Sequence, residues 1–189
     1  MTLELTRHPS PLGEMTLAFH DDTLCALAFS DRWAGAERAL ARRFPGTPRP
    51  TADARAVTRL LDAYFAGEVG ALDEIAVETG GTAFQRAVWA ALRRIPVGST
   101  TSYGELARAI GAPSAVRAVG AANGANPVSL IVPCHRVIGA DGRLVGYGGG
   151  LDRKRWLLAH EGALASQPTL TFAGARDADR SATDASPAE

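Results

Sequence analysis

The stretch SYGELARAIGAPSAVRAVGAANG, residues 102–124, reads as two short helices joined by a tight turn. Ser102 is placed to cap a helix over Tyr103 to Ile110, Gly111 breaks it, and Pro113 stands where a second helix through Val116, Val119 and Ala122 starts. That is the helix-turn-helix pattern, whose second helix is the candidate reader of DNA. Its composition is unlike that of a major-groove reader, because Ala112, Ala115, Ala118, Gly120, Ala121, Ala122 and Gly124 leave few side chains able to reach base edges. Small side chains permit close approach to a shallow groove and so favour the minor groove, with Arg117 the one long cation near the middle of the helix. A plain helical hairpin packed against a core is the alternative the pattern leaves open.

Toward the N-terminus, Thr82 caps a preceding helix that carries Phe84, Val88, Trp89 and Leu92 on one face and is stopped by Pro96 and Gly98. Thr79-Gly80-Gly81 before it reads as a hinge between domains. From Thr2 to about Glu78 the alternating segments Met15 to Phe19 and Leu24 to Phe29 predict a hairpin around Asp21-Asp22. A helix over Ala34 to Arg43 follows, then a second from the cap candidate Thr51 through Val57, Leu60, Leu61, Tyr64 and Phe65, with Ile75-Ala76-Val77 a further strand. Toward the C-terminus, the apolar run Leu130-Ile131-Val132 leads into Pro133-Cys134-His135-Arg136-Val137 and buries a thiol beside an imidazole. A dry, positively biased pocket is where a cysteine becomes a nucleophile. Val137-Ile138-Gly139 and Leu144-Val145 flank Asp141-Gly142 as a tight hairpin, and Gly146-Tyr147-Gly148-Gly149-Gly150 follows as a loop of unobstructed backbone N–H groups that lacks the Lys-Ser/Thr ending of a phosphate loop. A helix from Leu151 to His160 ends at Glu161-Gly162, and 163–189 reads as a disordered tail.

The expected architecture is therefore α+β: a small N-terminal α/β domain over 1–80, a mostly helical domain over 81–162 holding the helix-turn-helix and the cysteine loop, and the tail. Net charge is zero over 189 residues, but 81–162 carries ten basic groups against four acidic ones, a surplus of six that the rest of the chain cancels. Such a division places an anion-binding surface on one domain. Cys25 and Cys134 lie far apart with no C-x-x-C pair, so neither a disulfide framework nor a thiolate zinc site is indicated, and a thiol that must stay reduced fits the cytoplasm. No secretory leader or membrane-length apolar run is present, so no membrane partner is expected.

Six stretches carry a resemblance: Thr82-Ala83-Phe84-Gln85, Tyr103-Gly104-Glu105-Leu106-Ala107, Arg117-Ala118-Val119-Gly120, Asn126-Pro127-Val128, Pro133 to Val137 and Gly146 to Gly150. Their order and spacing are similar to those of the O6-alkylguanine-DNA alkyltransferases, over about Gly80 to Gly162. The first 80 residues are compatible with the ribonuclease H-like domain that precedes the catalytic domain in that family. The resemblance implies irreversible transfer of an alkyl group, chiefly methyl, from guanine O6 in double-stranded DNA, with some activity on O4-alkylthymine, to the sulfur of Cys134. Each molecule acts once, without cofactor or metal. It implies that His135 takes the thiol proton through a water, that Glu161 orients His135, and that Asn126 braces the turn below the cysteine. Tyr103 rotates the target phosphate and donates to guanine N3, and Arg117 fills the gap left by the flipped nucleotide. Ser102, Ala118 and Gly120 join Arg117 and Tyr103 on the DNA face. Val137, Tyr147, Gly148 and Gly149 form the base pocket, with backbone at Cys134, Val137 and Gly148 reading the base edge. The implied protein is a cytoplasmic monomer, at the nucleoid in a bacterium, needing no protein partner, with cooperative binding along DNA left open.

The chain departs from some relatives. His8, His20 and Cys25 do not make up the two-Cys, two-His zinc set of certain members, so no structural metal is expected. Ser129 and Gly148 stand where vertebrate members carry proline and serine, so bulky O6-benzyl groups are expected to fit poorly. Three other functions compete. Alkyltransferase-like lesion sensors carry tryptophan where this chain has Cys134; a transcription regulator is disfavoured by the small-residue helix; and a Cys-His hydrolase or thiol protease is disfavoured because the histidine of such enzymes is normally distant in sequence, whereas His135 adjoins Cys134.

Overall fold

The computed structural model describes residues 3–51 and 54–164. The chain begins with an antiparallel meander, β1 (Leu3–His8), β2 (Met15–His20) and β3 (Thr23–Phe29). Asp21 and Asp22 both take positive φ, 45° and 63°, the conformation a two-residue hairpin loop demands and one that Asp tolerates better than bulkier residues. Helix α1 (Trp33–Arg43) follows a single 3₁₀ turn, and β4 (Arg49–Pro50) pairs in parallel with β1, completing a sheet of order β3-β2-β1-β4. Strand β2 is buried on both faces because an apolar layer covers each of them. Met15, Leu17 and Phe19 face the main core, while Ala18 joins Cys25, Ala26 and Leu40 under α1.

Helix α2 (Arg55–Phe65) starts later than its sequence predicts. Its N-cap is Ala54 and not Thr51, whose backbone N–H donates to Leu5 O at 2.9 Å and prolongs the β4 pairing. The helix begins behind Ala54 with no side-chain cap, and burial of Leu61 and Tyr64 anchors it. The strand expected at Ile75 to Val77 contracts to one bridge, Leu24 to Val77, backed by a bond from Glu78 N to Leu24 O.

Gly81, at φ +77°, accepts a backbone turn that other residues adopt only with strain, and an added Cβ would stand 2.6 Å from the Trp89 ring. Helix α3 (Ala83–Leu92) then opens on a capping box in which Thr82 and Gln85 satisfy one another's backbone N–H groups. Its Trp89 Nε1 donates to Ala122 O at 2.9 Å. The helix-turn-helix comprises α4 (Tyr103–Ala109), capped reciprocally by Ser102 and Glu105, and α5 (Val116–Gly124). Helix α5 starts three residues after Pro113. Pro113 instead occupies the second position of a turn closed by Ala115 N to Ala112 O, where its fixed φ fits.

Strands β5 (Thr101–Ser102) and β6 (Val137–Ile138) pair in parallel, Thr101 with Val137. This short ladder brings the start of α4 beside the segment that carries Cys134. The hairpin expected beyond β6 does not form. Asp141-Gly142 does turn the chain, with Gly139 N bonded to Arg143 O, but the ladder stops there because Lys154 Nζ takes the carbonyls of Val137 and Val145. Helix α6 (Leu151–His160) closes the described fold. From position 165 onward the expected tail lies outside the described residues. One apolar cluster runs through Leu27 and Phe29 of the sheet, Leu61 of α2, Val88 and Leu92 of α3, and Leu157 of α6, so both halves share a core. Among the described residues no helix is long and apolar enough to cross a membrane.

Candidate active site

The apolar run before Cys134 buries it as its composition predicts: Leu130, Ile131 and Val132 are all core. Asn126 stitches this segment together, with Oδ1 accepting from Val128 N at 3.0 Å and Nδ2 donating to Val132 O at 2.7 Å. Between those bonds Leu130 sits at φ +69°, a strained state for a non-glycine residue that the surrounding bonds hold in place. Cys134, His135 and Arg136 then form one 3₁₀ turn, all buried.

Burial pushes the Cys134 thiol above its ordinary value, opposed by the Asn126 amide, the Lys154 charge and the backbone N–H groups of Cys134 and His135. The resting group is therefore a thiol that needs a base. His135 is fully buried, and burial holds its imidazole below the ordinary value, neutral at pH 7, despite Glu161. One ring nitrogen, Nε2, lies 2.9 Å from Glu161 Oε1. Glu161 is an anion: burial alone would raise it, but the donors on His135 and Arg136 bring it down to about 2. Its carboxylate takes Arg136 Nε on Oε2 at 2.7 Å and Arg136 Nη2 on Oε1 at 3.0 Å, while Arg136 Nη1 donates to Ile95 O at 2.7 Å. A carboxylate that accepts from Nε2 leaves Nδ1 as the nitrogen open to a proton.

The thiol opens onto a cleft of about 170 Å³ walled by Tyr103, Gly120, Asn123, Gly124, Gly146, Tyr147 and Gly148. Tyr103 and Gly120 come from the two helices of the helix-turn-helix, and Tyr147 and Gly148 from the glycine-rich loop. Three buried polar atoms have no hydrogen-bond partner among the described residues: Asn123 Oδ1, His135 Nδ1 and Tyr147 Oη. Two belong to the cleft wall and the third to the residue after Cys134. Orphaned buried polar atoms are costly, and clustered at one cleft they mark where a polar ligand belongs. A larger groove of about 660 Å³ lies between α1 and the Asn126 segment, but Cys134 does not line it, so the chemistry belongs to the smaller cleft.

The remaining expected site residues are distributed as follows. Arg117 and Ala118 are exposed on α5, and Gly120 lies against the Tyr103 ring. Ser102 spends its hydroxyl on the Glu105 cap. Gly148 has open space where a Cβ would stand, whereas a Cβ on Gly149 would stand 2.6 Å from Tyr147 and 2.9 Å from Phe29. Gly149 walls the larger groove, and Val137 is buried off the cleft wall, its carbonyl held by Lys154. In the N-terminal half His8 pairs with Asp62, His20 with Glu78, and Cys25 donates to Ala18 O, so these three do not converge.

Three functional side chains carry no role in the sequence reading. Arg136 lies within the Pro133 to Val137 stretch, but nothing local signals its ion pair with Glu161. Lys154, whose Nζ reaches the carbonyls of Val137, Val145 and Gly146 at 2.5, 2.6 and 3.2 Å, is signalled only as the single lysine of an Arg-rich chain. Burial lowers it to about 8. Tyr64, which donates to Glu161 Oε1, has no local signal beyond an apolar helix position.

Two family models match this chain, "6-O-methylguanine DNA methyltransferase, ribonuclease-like domain" over residues 5–79 and "6-O-methylguanine DNA methyltransferase, DNA binding domain" over 83–163. A methylated-DNA–protein-cysteine methyltransferase of Mycolicibacterium paratuberculosis is 53% identical over 152 residues, covering 80% of this chain and 88% of the relative. The chain belongs to the 6-O-methylguanine DNA methyltransferase family. The Mycobacterium tuberculosis member of this family is 51% identical over 163 residues, 86% of this chain and 94% of its own. The crystal structure of Mycobacterium tuberculosis O6-methylguanine methyltransferase superposes with a TM-score of 0.73 at 44% identity, covering 87% of this chain and 96% of that one. A Mycobacterium tuberculosis relative solved in complex with DNA superposes at 0.71, with 45% identity over 86% and 94% of the two chains. The family's two-part architecture, a ribonuclease-like domain followed by a helical DNA-binding domain, is the one described above.

Proposed function

We propose that this protein repairs duplex DNA by moving the alkyl group of O6-alkylguanine, chiefly methyl, onto Sγ of Cys134, once per molecule. The observation that carries the proposal is a buried thiol opening onto a cleft between a helix-turn-helix and a glycine-rich loop, with unpartnered polar atoms on two of its wall residues, Asn123 and Tyr147, and on His135 beside the thiol. The names of the methyltransferase relatives and the DNA complex of one of them support the same reading.

The helix-turn-helix meets the minor groove, the lesion turns out of the stack, and Arg117 fills the space it leaves. Unstacking costs a few kcal/mol, which a lesion that pairs badly reduces. In the cleft, His135 Nδ1 takes the thiol proton through a water while Nε2–H stays on Glu161, so the imidazolium forms beside a carboxylate. The sulfur lone pair attacks the methyl carbon, the carbon–O6 bond breaks, and its electrons pass into the guanine ring. Burial raises the Tyr103 hydroxyl, which stays protonated and donates toward guanine N3. Guanine gains one proton, the thiol loses one, and the product thioether neither hydrolyses nor reverts. O4-alkylthymine presents the same alkoxy carbon beside a ring nitrogen and is the lesser substrate. The requirement for a reduced thiol assigns the protein to the cytoplasm.

The test uses a duplex with one O6-[³H-methyl]guanine. Label transferred to protein should plateau at one methyl per molecule however much DNA is added, and Cys134→Ala should bind the duplex without taking label. Continued turnover, or transfer by Cys134→Ala, overturns the proposal.

A further inference from the structure

We infer that Tyr64, from the ribonuclease-like half of the chain, is a positioning residue for alkyl transfer, setting the proton affinity of His135 through a shared oxygen of Glu161. The inference rests on the proposed relay from Cys134 to His135 to Glu161 and adds a member that lies outside the catalytic domain.

Glu161 Oε1 accepts from three donors: Tyr64 Oη at 2.9 Å, His135 Nε2 at 2.9 Å and Arg136 Nη2 at 3.0 Å. Oε2 accepts from Arg136 Nε. Tyr64 is 97 positions away in sequence and almost wholly buried, so its hydroxyl reaches this oxygen only because α2 is fixed against α6. That attachment is specific. Tyr64 O lies 2.7 Å from His160 Nε2, the Tyr64 and His160 rings meet edge to face at 5.1 Å, and His160 stacks on Trp156 at 4.6 Å. Phe65 packs against the same rings. Glu161 follows His160 directly, so the contact that docks the two halves also sets the carboxylate.

Burial and the Glu161 charge keep the Tyr64 hydroxyl protonated, so it is always the donor in this bond. A donor on Oε1 draws off negative charge that otherwise falls on the neighbouring Nε2–H. With it, Glu161 orients the imidazole without trapping a proton on it, and His135 stays neutral and ready to take the thiol proton. Without it, charge concentrates on Oε1 and His135 holds a proton to higher pH. The other titratable or charged groups around His135 are Arg136 and Lys154, which disfavour its charge, with Cys134 before it and the Tyr147 ring at 6.3 Å.

The experiment measures single-turnover transfer from a duplex containing one O6-methylguanine, from pH 5 to 9, using the full chain and its Tyr64→Phe, Phe65→Leu and Glu161→Gln variants. For Tyr64→Phe the acid limb should move up by about half a pH unit, so transfer is about threefold slower below the limb and unchanged above it, with the same end point and duplex affinity. Phe65→Leu thins the packing around Tyr64 and Trp156 but keeps the Tyr64 hydroxyl, so it should lower thermal stability and move the limb by less than Tyr64→Phe does. A Tyr64→Phe profile that superposes on wild type overturns the inference. So does a loss of equal size at every pH, or a Phe65→Leu limb displaced as far. Glu161→Gln separates the two readings. If it transfers like wild type, the relay itself fails; if it is slow while Tyr64→Phe is unchanged, only the role of Tyr64 fails.

Discussion

Arg136→Met isolates the buried ion pair on which the site is built. The guanidinium makes two bonds to Glu161 and one to Ile95 O, and both charged groups are buried. Truncation leaves a buried carboxylate with only His135 and Tyr64 as donors and one carbonyl without its partner. Breaking a buried pair from one side costs about 3–5 kcal/mol. The Glu161 carboxyl gives an independent figure: a fall from 4.5 to about 2 corresponds to about 3 kcal/mol at about 1.36 kcal/mol per pH unit, shared between His135 and Arg136. For a chain of this size the melting temperature should fall by about 6–20 °C. The sign with pH follows from linkage. Glu161 binds protons more weakly folded than unfolded, so its stabilisation is complete above about pH 4.5 and is lost as pH falls toward 2. The gap between wild type and Arg136→Met in urea unfolding should therefore be widest near pH 7 and narrow below pH 4.5. Arg136→Met combined with Glu161→Gln should cost less than the two separately, because the double variant leaves no unpaired charge. A loss under about 1 kcal/mol, or strict additivity, would refute this account of the pair.

Further outcomes follow from the loop and the DNA face. Gly149→Ala drives a Cβ into the Tyr147 and Phe29 rings and should cost about 1–3 kcal/mol and slow transfer, whereas Gly148→Ser meets open space and should keep wild-type stability in the same melt. Lys154→Met leaves three carbonyls without their donor and removes a charge that favours the Cys134 thiolate, so both stability and transfer rate should fall. Because Lys154 falls to about 8 from 10.5, wild-type stability should gain relative to the Met variant as pH rises between those values, read by urea titration. Arg117→Ala should weaken duplex binding about equally across sequences and reduce the slope of log affinity against log salt by about 1, in fluorescence anisotropy.

Local chemistry is what the sequence made legible. Thr82 and Ser102 cap the helices that they are expected to cap, each in a reciprocal pair with the residue three on, and Asp21-Asp22 turns the first hairpin, because each is decided within four residues. Thr51 and Leu144-Val145 failed for the opposite reason. At Thr51 the backbone is still paired with β1, and Lys154, nine positions on, takes the carbonyl that the second strand needs. The same distinction divides the site. Cys134 and His135 announce themselves as neighbours behind an apolar run, and Glu161, Asn126 and Tyr103 came with the family resemblance. The bonds that fix Glu161 come from 25 positions upstream for Arg136 and 97 for Tyr64, separations at which no periodicity or spacing rule operates.

The central claim is that Cys134 is the acceptor, and peptide mass spectrometry after incubation with a duplex carrying a single O6-methylguanine tests it most directly. The account predicts one added methyl on the peptide that contains Cys134, guanine restored in the DNA, none on the peptide of buried Cys25, and no modification in Cys134→Ala. Tight binding of the duplex with Cys134 left unmodified would contradict it and make the protein a lesion sensor.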